Sequence, residues 1–212
     1  MGIEQFNYSF FFNNLINAKI QNQKIPVELK NNFAIPVQKH TANVKFVKKP
    51  GTYDNVDGLI SSKKYKISLC IKVADCVPIY IYDKQKEFYG LVHSGWRGTK
   101  NKIIINALNI LINDYQSLPE NILIAIGPHI KKCCYEVDWD VAQYFSCIIK
   151  NDHNKWLLDL SQEIINDIQT FKIPINNIFK SDICTYESLK CESFRRDGEK
   201  SKRMTGIISY DK

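Results

Sequence analysis

The chain has 212 residues, is 44% hydrophobic and carries a formal net charge of +7. That length suits one large domain with a substantial core, and the apolar content excludes a disordered chain. No apolar run approaches the roughly 20 residues needed to span a bilayer, and the opening MGIEQFNYSF lacks the basic-then-apolar order of a secretory leader, so a single cytoplasmic domain over 1–212 is expected.

In chain order, 4–12 (EQFNYSFFF) reads as a strand and 13–36 shows no clear period. Residues 43–48 alternate as a strand does and are closed by Pro50-Gly51. Residues 66–73 alternate again, and 77–82 and 87–93 are two strands joined by the polar stretch DKQK. Thr99 is a plausible N-cap for a helix running to about Tyr115, with Ile104, Ala107, Leu108, Leu111 and Ile112 at helical spacing. A short buried strand at 121–126 ends in Gly127-Pro128. Residues 138–149 and 159–171 read as helices, and 177–180 and 203–210 as strands. This mixture predicts an α+β domain with much antiparallel pairing.

The positive charge is scattered, with small clusters at Lys131–Lys132, Arg195–Arg196 and Lys200–Arg203. A nucleic-acid binder more often shows one long basic face with interleaved aromatics, so the charge reads as a solvated surface or as attraction for an anionic small molecule. Neither a nucleic-acid nor a membrane partner is expected. The seven cysteines are odd in number and none shows CxxC spacing. They are expected to be free thiols or metal ligands, not a disulfide framework or a four-cysteine zinc site.

The most informative stretch is 74–99. A hairpin symmetric about Lys84-Gln85 pairs Asp83 with Lys86 and, further out, Cys76 with His93. Opposed Cβ atoms would lie about 4.5–5.5 Å apart, which suits two ligands of one metal, although a one-residue slip would separate them. Three readings stand side by side: a metal pair, a nucleophile with its base, and a buried thiol packed beside a histidine. His40, between an apolar stretch and a strand, is a candidate third ligand, and three nitrogen or sulfur ligands leave one zinc position open for chemistry. Asp75 adjoins Cys76 and reads either as a catalytic or orienting group or as a turn cap. Gly95 to Thr99 leads into a helix N-terminus, an anion seat to which Arg97 would add a planar fork; the alternative is a tight turn with an exposed arginine. Trp96 is either a stacking wall or core.

Four ordered segments carry a resemblance. They are Ala74-Asp75-Cys76-Val77-Pro78, His93-Ser94-Gly95-Trp96-Arg97-Gly98, Gly127-Pro128 through Cys133-Cys134-Tyr135-Glu136-Val137, and Cys184-Thr185-Tyr186 through Arg195-Arg196-Asp197-Gly198 to Arg203-Met204. Together, over roughly 36–210, they resemble the laccase-domain, or polyphenol oxidoreductase, family. Its members are described as purine nucleoside phosphorylases with adenosine deaminase activity, and some as peptidoglycan editing factors. The resemblance implies a four-layer α/β/β/α fold with a central, largely antiparallel β-sandwich, similar to certain toxin deamidases that use a Cys–His dyad. It also implies a zinc held by His40 (in Gln38-Lys39-His40), Cys76 and His93; Asp75, from its place beside Cys76, joins them as a catalytic candidate. Gln38, Arg97, Arg195 and Arg196 are the candidates for holding nucleoside or phosphate. With four histidines in the whole chain, copper is less expected than zinc. Rival readings are an amidase acting on a cell-wall precursor and a binding module whose zinc is closed by Cys133 or Cys134. The sequence departs from the family pattern at Thr41, where a glycine is usual, and in the Glu199–Lys202 insert. The family's Asn-Leu-Gly segment near the start is not evident. His129, in the Gly-Pro loop, is a further group to place.

Overall fold

The computed structural model describes residues 5–22 and 31–210. Two six-stranded sheets dominate. In the first the strands run β1 (Gln5–Asn7), β2 (Asn17–Gln21), β15 (Met204–Ser209), β7 (Ser68–Val73), β3 (Phe33–Val37) and β5 (Gly51–Asp54). In the second they run β14 (Ile178–Lys180), β10 (Ile122–Ile126), β8 (Val77–Asp83), β9 (Phe88–Ser94), β6 (Gly58–Ser62) and β4 (Val44–Phe46). Antiparallel pairs predominate, with parallel pairing at β3–β5, β3–β7, β4–β6 and β10–β14.

The sequence of β8 explains the layering. Successive strand residues face opposite sides, and every residue of β8 is buried, so both faces must be apolar. Tyr80 and Tyr82 point into the sandwich, where they meet Ile20, Leu69, Ile71 and Ile208 of the first sheet. The buried Tyr80 hydroxyl donates to Lys19 O at 2.8 Å, so its polar end is satisfied. Ile79 and Ile81 point the other way, against α2 (Ile103–Asn109) and α4 (Leu160–Gln169), whose Ile104, Leu108, Ile164 and Ile168 complete a second core. Asp159 caps α4 by accepting from Gln162 N at 2.9 Å.

The mixed α+β, sheet-rich expectation agrees with this arrangement. Of the expected four layers, the described residues supply three: helices, second sheet, first sheet. On the outer face of the first sheet Phe33, Ile35, Cys70 and Ile207 form a small cluster, with no helix over them among the described residues. Residues 1–4, 23–30 and 211–212 lie outside the described set, which removes residue 4 of the expected first strand and 23–30 of the unassigned stretch.

Local expectations need correction in several places. The expected strand at 4–12 is strand only over β1, because Asn7 Oδ1 accepts from Ser9 N at 2.8 Å and the chain enters a run of turns that ends at the left-handed Asn13 and Asn14. Its aromatics plug the sandwich instead, Tyr8 lying 5.2 Å from the Tyr80 ring and Phe12 6.1 Å from Tyr82. The strand at 43–48 ends at Phe46, and β5 and β6 follow it unforeseen. The helix expected from Thr99 starts earlier, as α1 (Trp96–Lys100), breaks at Lys102 (φ 63°), resumes as α2 and ends in a wider π turn at Ile110–Asp114. Thr99 therefore sits inside α1, its hydroxyl bonded to Gly95 O at 3.0 Å. The helix at 138–149 is only α3 (Trp139–Ala142). Glu163 of α4 accepts from the backbone N–H of Ser146 and Cys147, which draws the chain out of the helix. The chain then forms β12 (Ile148–Lys150), one strand of a small sheet with β11 (Glu136–Val137) and β13 (Trp156–Leu158).

The hairpin register also differs. Pro78, not Cys76, lies opposite His93, and Val77 lies opposite Ser94. The connection is a four-residue loop in which Asp83 Oδ1 accepts from Gln85 N and Lys86 N, and Glu87 is left-handed at φ 57°. The slip is two residues, so Cys76 and His93 keep the same face.

Candidate active site

Two loops and one strand deliver the site. His93 is the sixth residue of β9, Cys76 immediately precedes β8, and His40 lies in the turn between β3 and β4 with φ 57°. Their ligand-capable atoms all lie within 4.8 Å of one another. His40 is exposed, Cys76 partly buried and His93 buried. The two imidazole rings stand 5.0 Å apart at 71°.

Beneath them is Asp57, fully buried at the entrance to β6 and not singled out in the sequence. Its Oδ1 lies 2.8 Å from His93 Nδ1. Its carboxylate also accepts from the backbone N–H of Lys39 (3.1 Å), His40 (3.1 Å) and Thr41 (2.7 Å), and from the Thr41 hydroxyl at 2.8 Å. The Asp57 carbonyl takes the His93 N–H at 2.8 Å. One carboxylate thus orients both histidines, and holding the left-handed turn at His40 is part of its work. Thr41, where the family usually has glycine, adds a hydroxyl donor to it.

The charges follow from these contacts. Burial would raise the Asp57 carboxyl, but its bonds to His93 and Thr41 outweigh that and hold it at about 2. Burial works against the charged form at both Cys76 and His93. Hydrogen bonding to His40, and then to His93, nonetheless pulls the Cys76 thiol below the ordinary thiol range. Asp57 and Cys76 together push His93 above the ordinary histidine range. Gly95, opposite Cys76, keeps the space open: a Cβ there would lie 2.8 Å from Cys76 Sγ and 3.3 Å from His40 Cδ2.

The three side chains line a cleft of about 480 Å³ together with Pro36, Gln38, Lys72, Ala74, Phe194 and Arg203. Gln38 is locked to the edge of β7, donating to Lys72 O at 2.8 Å and accepting from Lys72 N at 2.7 Å. A smaller adjoining pocket of about 160 Å³ is lined by Asp75, Cys76, Ile130, Tyr135, Phe194 and Arg195, among others. Asp75 is buried at φ 78°, and both its oxygens are engaged, by the Thr185 hydroxyl and the Arg195 N–H, each at 2.6 Å. Arg195 donates to Glu136 O at 2.7 Å and lies over Tyr135. Arg196 turns away, its guanidinium bonded to the carbonyls of Thr185, Tyr186, Ser188 and Cys191. Arg97 is exposed, 4.2 Å over the ring of Trp96, and Trp96 packs against the helical core. His129 is fully buried, its Nδ1 2.8 Å from Gly127 O, and does not line the cleft. Cys133 and Cys134 gather with Cys184 and Glu187 in a separate group and do not close the first one.

Sequence reasoning missed Asp57, Lys72, Phe194 and Arg203. Lys72 lies in an alternating strand, and Arg203, though it closes the fourth family-like segment, was read for its charge cluster and not for the site. Asp57 carried the one readable signal: of the two acids between the strand-like runs, it is the one just before an apolar segment.

The donor set fits a borderline metal: two imidazoles and a low-lying thiol, with Asp57 fixing the orientation of His93. The model of the multi-copper polyphenol oxidoreductase laccase family matches residues 13–211. A protein of Aquifex aeolicus named purine nucleoside phosphorylase is 31% identical over 180 residues, covering 84% of each chain. One of the same name from Clostridium acetobutylicum is 34% identical over 158 residues, covering 72% of this chain and 66% of that one. The crystal structure of YlmD from Geobacillus stearothermophilus superposes with a TM-score of 0.86 at 22% identity, covering 93% of each chain. YfiH of Bacillus licheniformis superposes at 0.84 and 22% identity, covering 93% of this chain and 94% of that one. No helix among the described residues is long and apolar enough to cross a membrane.

Proposed function

Since the chain belongs to the multi-copper polyphenol oxidoreductase laccase family, we propose that it is a zinc-dependent purine nucleoside phosphorylase, acting on adenosine, inosine and methylthioadenosine and also deaminating adenosine. The observation that carries the reading is the meeting of His40, Cys76 and His93 in an open cleft with a cationic rim. Relatives named purine nucleoside phosphorylase supply the substrate class. With four histidines in the chain, of which two reach the site, zinc fits the donor set better than a multicopper cluster does. A zinc ion held there would supply Lewis-acid polarisation of a bound oxygen or nitrogen.

The chain's own residues account for the rest. Phosphate is held against Arg203 and Lys72 by charge-assisted bonds, with Arg195 reaching from the adjoining pocket. A phosphate oxygen attacks the ribose C1′, the C1′–N9 bond breaks, and the purine leaves with its electron pair and takes up a proton. Phe194, shared by both pockets, offers an apolar face for base or sugar. Asp75, with both oxygens engaged, positions the wall through Thr185 and Arg195 and leaves proton donation to other groups.

A second reading has its own observation: the lowered Cys76 thiol beside His93 is the arrangement of a hydrolytic dyad, suited to amide cleavage in a cell-wall precursor. Base release from inosine, adenosine and methylthioadenosine, with and without phosphate, together with metal content, separates the two. We expect about one zinc per chain at this site with phosphate-dependent release, both lost in His93→Ala. Normal inosine cleavage by His93→Ala sinks the metal reading, and full activity after chelation assigns the dyad.

A further inference from the structure

The turn that follows β10 and the turn that follows β14 bring three thiols and a carboxylate together. Cys133 Sγ, Cys134 Sγ, Cys184 Sγ and a Glu187 carboxylate oxygen all lie within 4.8 Å of one another. We propose that these four residues form a second metal site, for a thiophilic divalent cation such as zinc, separate from the His40, Cys76 and His93 set.

The geometry needs little adjustment. A tetrahedral zinc with Zn–S bonds of about 2.3 Å separates its sulfurs by about 3.8 Å. Cys133 and Cys134 Sγ now stand 3.3 Å apart, so modest opening admits the ion. The innermost sulfur already accepts hydrogen bonds from the backbone. Lys131 N–H points at Cys184 Sγ from 3.5 Å, and the N–H groups of Tyr186 and Glu187 also bond to it. Cys133 and Glu187 are exposed, which gives an ion its way in.

The main rival is oxidation. Any two of the thiols are near enough to join, but a disulfide consumes two sulfurs and strands the third, whereas three thiolates and a carboxylate make a complete four-donor set. Such a cation would tie the 131–134 turn to the 184–187 turn. Both flank the smaller pocket, the first through Ile130 and Tyr135, the second through the Thr185 bond to Asp75. Its role there is structural, with no open position for chemistry.

The test is a cobalt titration of the whole chain, reduced with a phosphine and stripped by a chelator, read by the sulfur-to-cobalt charge-transfer band. Cys76→Ala removes the first site and should still take up one ion with a strong multi-thiolate band. Adding Cys133→Ser, at an exposed position, should weaken that uptake by tenfold or more while leaving the melting curve of the ion-free protein in place. No thiolate band in Cys76→Ala overturns the proposal. So does uptake unchanged by Cys133→Ser. A disulfide among Cys133, Cys134 and Cys184 in the protein as isolated, with no metal at that site, overturns it as well.

Discussion

The two clusters stand on different foundations. His40, Cys76 and His93 rest on Asp57, a buried carboxylate whose oxygens take five donors between them. Cys133, Cys134, Cys184 and Glu187 rest on turns, and behind them lies His129. Thr185 N donates to its carbonyl, while its ring nitrogen Nε2 is buried without a partner. Under the first cluster is a satisfied charge; under the second is a neutral ring with one group unsatisfied. A charge anchored on strands fixes directions, as a site of chemistry requires. A ring packed beneath turns only fills space, which suffices where the ligands can be drawn together by what they bind.

The contrast is broken most sharply at Asp57. Asp57→Asn keeps the volume but removes the charge from a buried, multiply bonded position. It should cost about 4 kcal/mol in denaturant unfolding and lower first-site metal affinity by one to two orders of magnitude. Cobalt uptake at the second cluster should stay unchanged; equal loss at both would mean that the foundations are not independent.

Acid separates the two regions in the opposite sense. Burial pushes His129 down to about 4, with Lys131 and Lys180 adding to the effect and Asp159 opposing it. Its folded value lies below its unfolded value of about 6.5, so the neutral ring's contribution is intact above 6.5 and is lost as pH falls towards 4. The loss should reach about 3 kcal/mol near pH 4. Asp57, held at about 2, stays charged throughout that window. His129→Phe should flatten this part of the stability–pH curve in urea titrations. A curve of the same slope in both proteins would show that another group drives it.

Smaller changes sharpen the picture of the first site. Gly95→Ala places a methyl 2.8 Å from Cys76 Sγ and should weaken zinc by about tenfold, measured by competition with a chromogenic chelator. Thr41→Ala removes one of the donors to Asp57 and should cost about 1 kcal/mol in thermal unfolding, with metal content unchanged.

The parts legible in sequence are those where local pattern and tertiary role coincide. β8 reads as a strand because VPIYIY is apolar on both faces, and the structure buries both. Cys76 and His93 were brought to one face by an argument that had the register wrong by two residues. It survived because side chains repeat every second residue. What failed were elements decided from a distance: Glu163 ends α3 from another helix, and Lys102 breaks the 99–115 helix where a salt bridge to Asp167 holds it at 2.8 Å. Asp57 stayed hidden because its role depends on the 39–41 turn and β9 converging on it, which no spacing reveals. Arg195 and Arg196 looked equivalent as neighbours. Only the fold separates the one lining a pocket from the one clamping a turn.

The strand order of the first sheet bears on how the chain is made. β15, the last strand in sequence, lies between β2 and β7, pairing with Lys19 and Cys70 on its two sides at Ile207. On the ribosome, β1 and β2 therefore have no sheet to join until residues 204–209 have emerged. The long middle of the chain waits with an unpaired edge along β7. The first sheet is therefore completed from its centre, by a strand made more than 180 residues after β2, a pairing of high sequence separation that comes late in folding.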